Sequence, residues 1–236
     1  MWRHVLPALG QAGWRALAPD LPGYGDSEPD PPGTWEHHIE ALDRFVEELG
    51  LGPVALVTHD WGVPIGLRWV CDRPGVASSL VISDGGFFAD RRWHDLANVM
   101  RTPEEGERLI ASYTRRGFGE ALRALSSGIT DDALDEYWKA FADDTRRGGH
   151  LELYRSGDFE KLEPYAGCLV GLGVPVLIVW GAQDRFVSVK MAHRFSEEIP
   201  DAELAVFQVG HFVWEDEPER TAGSLVDFLE RRGVRA

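Results

Sequence analysis

Three side chains with complementary chemistry stand shortly after three apolar segments that are predicted strands. They are Asp60 after Val54–Thr58, Asp184 after Val176–Trp180, and His211 after Glu203–Phe207. Because the carboxyl ends of parallel strands meet at one edge of a sheet, we expect the three side chains to lie together there. A carboxylate is ordinarily ionised at neutral pH and needs no base to become a nucleophile, and a histidine oriented by a second carboxylate is a general base. The order therefore predicts a nucleophile, an acid and a base.

The segment around Asp60 has the composition of a sharp strand-to-helix bend. In Thr58-His59-Asp60-Trp61-Gly62 the residues two positions before and after Asp60 are small. Such a bend strains the residue at its apex and projects its side chain into a pocket. Taken singly, each residue also has a structural interpretation: Asp60 as a helix N-cap, Asp184 as a turn residue and His211 as a loop histidine. Their joint order after three strands favours catalysis.

A further carboxylate could take the place of the acid. Asp84 follows the predicted strand Ser79–Ser83 and would reach the same sheet edge, although the segment Trp180–Asp184 favours Asp184. The other histidines lack the spacing with acids or cysteines that is typical of metal ligands, so no metal is implied. The glycines of Leu49–Pro53 lack the spacing of a nucleotide-binding loop, so no cofactor is expected.

The elements that must position these residues alternate between strands and helices at both ends of the chain. The predicted helices there are Arg3–Ala12, a helix capped by Thr34 and ended by Gly50, Val63–Val70, Ser188–Ile199 and Glu217–Arg232. A short strand is also predicted over Arg15–Ala18, before a loop rich in Pro and Gly. This alternation indicates an α/β fold with a mostly parallel sheet flanked by helices. The pattern of residues 85–165 predicts amphipathic helices and no strand. We therefore expect a core of residues 1–84 and 166–236, with residues 85–165 inserted as a helical cap.

Composition narrows the function classes. Among 236 residues, acids outnumber bases by 39 to 24, which gives a net charge of -15. A surface this negative repels phosphate backbones and anionic lipids, so neither nucleic acid nor a membrane is an expected partner. The longest apolar stretch, Val174–Trp180, is far too short to span a bilayer, and the N-terminus lacks a secretory signal. Cys71 and Cys168 are expected as buried reduced thiols, and the protein as a cytoplasmic monomer or homodimer.

Five stretches of the chain resemble a known family. They are APDLPGYGDS (18–27), THDWG (58–62), GLRW (66–69), WGAQD (180–184) and GHFVWEDEP (210–218). These segments resemble α/β-hydrolases of the branch that contains haloalkane dehalogenases and epoxide hydrolases. The resemblance implies that Asp60 attacks a carbon of a small apolar organic substrate and forms an ester. It also implies that His211, oriented by Asp184, activates the water that hydrolyses this ester.

The leaving group separates the two activities. A halide needs N–H donors, for which the resemblance suggests Trp61 together with Trp93, although lid packing explains Trp93 equally well. An epoxide oxygen needs O–H donors from two lid tyrosines, for which it suggests Tyr154 with Tyr113 or Tyr137, the last of which has the spacing of a core residue. Trp61 occurs in both kinds of enzyme. The sequence favours the dehalogenase and keeps the epoxide hydrolase as the alternative.

The N-terminal region departs from the family pattern. Members of this fold ordinarily have two or three strands and an HG-x-P loop before the helix that begins here at Trp2. That loop supplies an oxyanion-hole N–H group, whose loss typically costs roughly 10²–10³ in rate. An alternative of a different class is therefore a truncated, catalytically inactive α/β-hydrolase fragment.

Overall fold

The computed structural model describes residues 1–232, and its centre is a four-stranded parallel sheet. The strands, in the order in which they pair, are β1 (Val54–His59), β2 (Ala77–Ser83), β3 (Val176–Gly181) and β4 (Glu203–Phe207). All neighbouring pairs are parallel, so the carboxyl ends of the four strands share one edge, as the alternation of strands and helices predicts.

Helices cover both faces of this sheet. The helices outside the segment between β2 and β3 are α1 (Val5–Gln11), α2 (Trp35–Glu48), α3 (Gly62–Asp72), α10 (Lys190–Glu198), α11 (Val213–Asp216) and α12 (Pro218–Arg231). Alternate side chains of β2 point to opposite faces. Leu80 and Ile82 pack in the cluster that contains Trp35 of α2, whereas Val81 packs in the cluster that contains Phe228 of α12. The central strands β2 and β3 are apolar on both sides because both of their faces are buried, whereas Leu204 and Val206 of the edge strand β4 are exposed.

The segment between β2 and β3 begins with a loop and contains helices but no strand. It contains α4 (Asp95–Arg101), α5 (Glu105–Ala111), α6 (Arg115–Leu125), α7 (Asp131–Trp138), α8 (Asp144–Ser156) and α9 (Cys168–Leu172), with 3-10 turns at Lys139–Phe141 and Phe159–Tyr165. Several of these helices begin at a side chain that accepts a backbone N–H three residues on: Thr114, Thr130 and Asp143 do so for α6, α7 and α8. These caps satisfy amide groups that the first helical turn leaves unpaired, which fixes where each helix starts.

One predicted strand is wrong. Residues Arg15–Ala18 do not form a strand, because β1 is the edge of the sheet and pairs only with β2 in the part of the chain described. An extended segment becomes a strand only when a neighbour accepts its backbone hydrogen bonds. The first strand among residues 1–232 is therefore β1.

The expectation of two reduced thiols is also wrong. Cys71, in α3, forms a disulfide with Cys168, at the start of α9, and their Cα atoms lie 6.1 Å apart. The two residues are 97 positions apart in sequence, and packing of α3 against α9 brings them together. The bond closes a loop that contains the whole helical segment from α4 to α8. Across residues 1–232 we find no helix with the length and apolar character that a membrane crossing requires.

Candidate active site

Asp60 occupies the apex of the bend between β1 and α3. Its φ angle is 48°, in the left-handed region that costs a non-glycine residue about 1–2 kcal/mol. The surrounding backbone holds this conformation, because the Asp60 amide donates to Ser83 O at 3.2 Å and the Val63 amide donates to Asp60 O at 3.0 Å. The Asp60 side chain is 42% exposed, so its carboxylate faces open space at the carboxyl edge of the sheet.

His211 lies between two carboxylates. Its Nδ1 atom is 2.8 Å from Asp184 Oδ2, and its Nε2 atom is 3.8 Å from Asp60 Oδ1. Because the bond to Asp184 requires a proton on Nδ1, Nε2 is free to accept a proton on the side of Asp60. The three residues that follow the predicted strands are therefore assembled in one cluster.

Both oxygens of Asp184 are bonded, which fixes the direction of the carboxylate. Oδ1 accepts the backbone N–H groups of Phe186 at 2.7 Å and Val187 at 3.0 Å, and Oδ2 bonds to His211. The side chain is fully buried. The turn after β3 thus supplies a preorganised acceptor for the histidine ring, which a loosely held carboxylate would not.

The pKa of His211 is raised by its neighbours. Burial is the largest single influence and lowers the pKa, but the hydrogen bond that the ring donates to Asp184 and the negative charges of Asp60 and Asp184 together outweigh it. Each influence that raises this pKa thus comes from one of the two carboxylates that flank the base.

Asp84 lies in the same cluster but is not hydrogen-bonded to His211. It is fully buried at the end of β2 with φ 45°, and its Oδ1 accepts the Gly181 backbone N–H at 2.9 Å. Burial and the adjacent negative charge of Asp184 raise the pKa of Asp84 well above its usual range. Its Oδ2 has no hydrogen-bond partner among residues 1–232. Of the two predicted acids, the structure places Asp184, and not Asp84, against His211.

Asp84, Asp184 and His211 also present three potential metal-ligand atoms within 4.8 Å of one another. The donor set does not suit a metal ion. Asp184 already accepts hydrogen bonds from two amides and the histidine, and Asp84 favours its protonated form. A metal ligand must be deprotonated and have a free lone pair directed at the ion.

A neutral second histidine packs against the base. The ring of His59 lies 4.7 Å from that of His211, and its Nδ1 is 3.1 Å from Ser83 Oγ. Burial and the proximity of His211 lower the pKa of His59 well below its usual value, so this ring stays uncharged beside the base.

Aromatic side chains form the wall beside Asp60. The ring of Trp61 lies 5.4 Å from Trp93 and 5.2 Å from Tyr154, and Trp93 stacks on Phe159 at 4.2 Å. Burial raises the pKa of Tyr154, and the charge of Asp60 raises it further. All three residues suggested for leaving-group stabilisation are thus in one cluster next to the predicted nucleophile.

The two alternatives for a second tyrosine differ in position. Tyr137 donates a hydrogen bond to Glu215 at 3.1 Å and packs against Phe212, away from the Trp61 cluster. Tyr113 packs against Phe118 and Phe141 and contributes to the raised pKa of Tyr154, so it lies within electrostatic reach of that phenol.

Sequence reasoning missed three residues of this region. Tyr24, in the Pro- and Gly-rich loop, has its pKa raised by burial and by the nearby Tyr154 phenol and Asp60 carboxylate. The ring of Phe186 lies 5.1 Å from that of His211 and borders a cavity of ≈ 150 Å³ that opens on the histidine. Arg91, in the loop after β2, is within electrostatic reach of Asp60 and Asp184. The signal for Arg91 was its place just beyond the carboxyl end of a core strand.

Comparison with known proteins identifies the family. Residues 1–218 match the family model described as alpha/beta hydrolase fold. The chain is 25% identical to a haloalkane dehalogenase of Bradyrhizobium diazoefficiens, over 97% of this chain and 82% of that protein. It is 28% identical to epoxide hydrolase 3 of Siraitia grosvenorii, over 98% of this chain and 87% of that protein.

A solved structure gives the same fold. The haloalkane dehalogenase DbeA from Bradyrhizobium elkani superposes with a TM-score of 0.82 at 23% identity, covering 100% of this chain and 87% of that one. At this identity the similarity shows the fold alone. Taken with the family match and the parallel sheet, these findings establish that the chain belongs to the α/β-hydrolase fold family and is a hydrolase of that family.

Proposed function

We propose that the protein hydrolyses a carbon–halogen bond through an ester on Asp60. An Asp60 oxygen attacks a saturated carbon of the substrate, and the carbon–halogen bond breaks with its electron pair leaving on the halide. Water, deprotonated by His211 Nε2, then attacks the ester carbonyl carbon. The resulting tetrahedral intermediate expels the alcohol, which takes up the proton, and restores the Asp60 carboxylate.

The observation that carries this proposal is the position of a carboxylate where the fold's serine hydrolases have a hydroxyl. Asp60 is held at φ 48° on the bend after β1, 3.8 Å from a histidine that is itself bonded to Asp184. A carboxylate attacks without prior deprotonation, so the histidine is left free for the second half-reaction, in which water is the nucleophile.

The ester itself would prepare His211 for that second step. In the free enzyme the negative charge of Asp60 helps to raise the pKa of His211. Esterification removes this charge, so the pKa of the histidine falls and a larger fraction of the ring is neutral at the moment when a base is needed. The formation of the intermediate and the activation of the base are thereby coupled.

The indoles beside Asp60 favour halide as the leaving group. Trp61 directly follows Asp60 in the sequence, and the ring centres of Trp61 and Trp93 lie 5.4 Å apart. An indole has one N–H donor and no acceptor, which suits a departing halide in an apolar setting. The haloalkane dehalogenase relatives agree with this choice.

A specific observation also favours an epoxide as substrate. Tyr154 packs against Trp61 at 5.2 Å, and its raised pKa keeps it protonated near Asp60. A phenol O–H in this place could donate to the oxygen that an opening epoxide releases. An epoxide hydrolase is therefore the second candidate, and it agrees with the relative from Siraitia grosvenorii.

We assign residues 85–165 to a cap and residues 1–84 and 166–236 to the core, of which residues 233–236 lie outside the part of the chain that the structure describes. Support comes from contacts across this division, since Trp93 and Tyr154 of the cap pack against Trp61 of the core. Closing the site with aromatic side chains would exclude bulk water and strengthen electrostatic interactions inside it.

Parallel assays distinguish the two candidates. The purified protein is incubated with short chloro- and bromo-substituted alkanes and carboxylic acids and, separately, with epoxides and epoxy acids of the same chain length, and released halide and diol are measured. We expect halide release that Asp60→Asn abolishes. Diol formation without halide release would support the epoxide hydrolase, and neither product with any substrate would contradict both.

A further inference from the structure

Arg91 is a charged side chain at the candidate active site that the proposed reaction does not use. It lies in the loop between β2 and α4, and it is partly buried. Its guanidinium carbon is 4.9 Å from the ring centre of Phe159 and 5.9 Å from that of Trp93. The side chain therefore lines the aromatic wall on which the apolar part of a substrate would rest.

The backbone leaves room for this guanidinium. A Cβ atom at Gly86 would lie 2.5 Å from Arg91 Nη1, so a larger residue there would displace the head of the side chain. The position of the charge is thus coupled to a glycine two residues after Asp84, in the loop that follows β2.

The guanidinium has no protein partner among residues 1–232. The charges of Asp60 and Asp184 act on it from a distance, yet the ion pairs of both carboxylates are with His211. Arg101 provides the contrast, because it also approaches Trp93 but donates to the backbone oxygen of Gly157 at 3.0 Å. A partly desolvated cation without acceptors is costly, and a ligand that supplies acceptors would offset this cost.

The charge balance of the site indicates the sign of that ligand. Asp60 and Asp184 repel anions, and so does a chain with a net charge of -15. One unpaired cation at the wall offsets that repulsion locally. Its planar fork of N–H donors matches the two oxygens of a carboxylate.

We infer that Arg91 binds a carboxylate of the substrate. This inference rests on the proposed function, which supplies the reaction. The substrate class is then short halogenated carboxylic acids, or the corresponding epoxy acids if the leaving group is an epoxide oxygen. The carboxylate lies on the guanidinium, and the reacting carbon lies toward Asp60 on the aromatic wall.

The test uses an unreactive ligand, so that it requires no ester formation. Butyrate and its neutral analogue butyramide are titrated into the wild-type protein by calorimetry at constant ionic strength. We expect butyrate to bind about 10- to 100-fold more tightly, the range of a charge-assisted hydrogen-bonded pair. Arg91→Gln should remove this preference and leave butyramide binding unchanged.

Two further variants control the result. Arg92 is the exposed neighbour of Arg91, and Arg92→Gln should keep the preference for butyrate. Arg91→Lys keeps the charge but lacks the planar fork of donors, so it should keep part of the preference for butyrate. This result would show that the loss in Arg91→Gln comes from the missing charge and not from misfolding.

Other outcomes would overturn the inference. These are equal affinity of the wild-type protein for butyrate and butyramide, no butyrate binding, a preference that survives in Arg91→Gln, and binding of chloride alone. If Arg91 binds butyrate selectively but the protein releases neither halide nor diol, the proposed function is contradicted and the carboxylate site is still supported.

Discussion

Asp84 lies beside Asp184 in the interior, but only Asp184 is hydrogen-bonded to His211. The two carboxyl groups differ in their donors. Asp184 receives two backbone N–H groups and the histidine, whereas Asp84 receives the Gly181 amide on one oxygen and has a strongly raised pKa. We interpret Asp84 as a protonated group that can donate to the Asp184 carboxylate, and two predictions follow from this division.

The first prediction concerns catalysis. Asp184→Asn should lower kcat by on the order of 10⁴, because an amide cannot hold the same histidine tautomer or stabilise the imidazolium. Asp84→Asn should lower kcat by less than about 10-fold, because Asn can still accept from Gly181 and donate to Asp184. Steady-state kinetics on one substrate measures both. A larger loss for Asp84→Asn than for Asp184→Asn would transfer the acid role to Asp84.

The second prediction concerns stability against pH. Folded Asp84 keeps a proton that an unfolded aspartate loses above its ordinary pKa, so the folded state binds more protons and stability falls as pH rises toward the raised pKa. Asp84→Asn removes this loss. We expect its Tm to match the wild-type value near pH 4 and to exceed it near pH 8, by about 2–4 °C for each 1 kcal/mol gained.

Asp201→Asn is the matched control for this measurement. Asp201 also has a positive φ, of 60°, but it is exposed at a turn. Its substitution should leave the difference in Tm between pH 4 and pH 8 unchanged. If Asp84→Asn behaves like this control, Asp84 is not protonated in the folded protein.

A third prediction separates the two half-reactions by pH. Attack by Asp60 needs no base, so its single-turnover rate should depend on pH much less than the rate of ester hydrolysis does. Ester hydrolysis needs neutral His211, so its rate should rise with pH and level off above the histidine pKa. Rapid-quench measurement of ester formation and decay follows each step. Identical pH profiles for the two steps would contradict the assignment of His211 as the base of the second step only.

A fourth prediction tests the position of Trp61 from outside the reacting groups. A Cβ atom at Gly157 would overlap the six-membered ring of the Trp61 indole, and the φ of Gly157, -74°, is accessible to alanine. Gly157→Ala should therefore displace the indole and lower kcat/KM roughly 10- to 100-fold. Gly148→Ala, in α8 with nothing within 4 Å of the added Cβ, should leave kcat/KM unchanged. An unaffected Gly157→Ala would remove Trp61 from leaving-group stabilisation.

Features that depend on local pattern were predictable from the sequence. The four core strands follow from their apolar runs, and the helix after Thr34 begins where its hydroxyl accepts the His37 N–H. The strands also made the common location of Asp60, Asp184 and His211 predictable, because each side chain follows a strand that ends at the same edge.

Features that depend on tertiary contacts were not predictable from the sequence. The segment Arg15–Ala18 has strand-like residues but pairs with no strand within residues 1–232. Cys71 and Cys168 are brought together by the packing of two helices, which no local pattern encodes. The choice between Asp84 and Asp184 depends on backbone amides in the turn after β3, and the exposure of Arg91 to the site depends on how its loop folds.

The most direct test is the mass of the His211→Gln protein after incubation with a haloalkane or haloacid substrate. Without a base the second half-reaction should stop, so the ester should accumulate. The account predicts a mass increase equal to the substrate minus hydrogen halide, located by peptide mapping at Asp60. An unchanged mass, or a modification at any other residue, would contradict the assignment of Asp60 as the nucleophile.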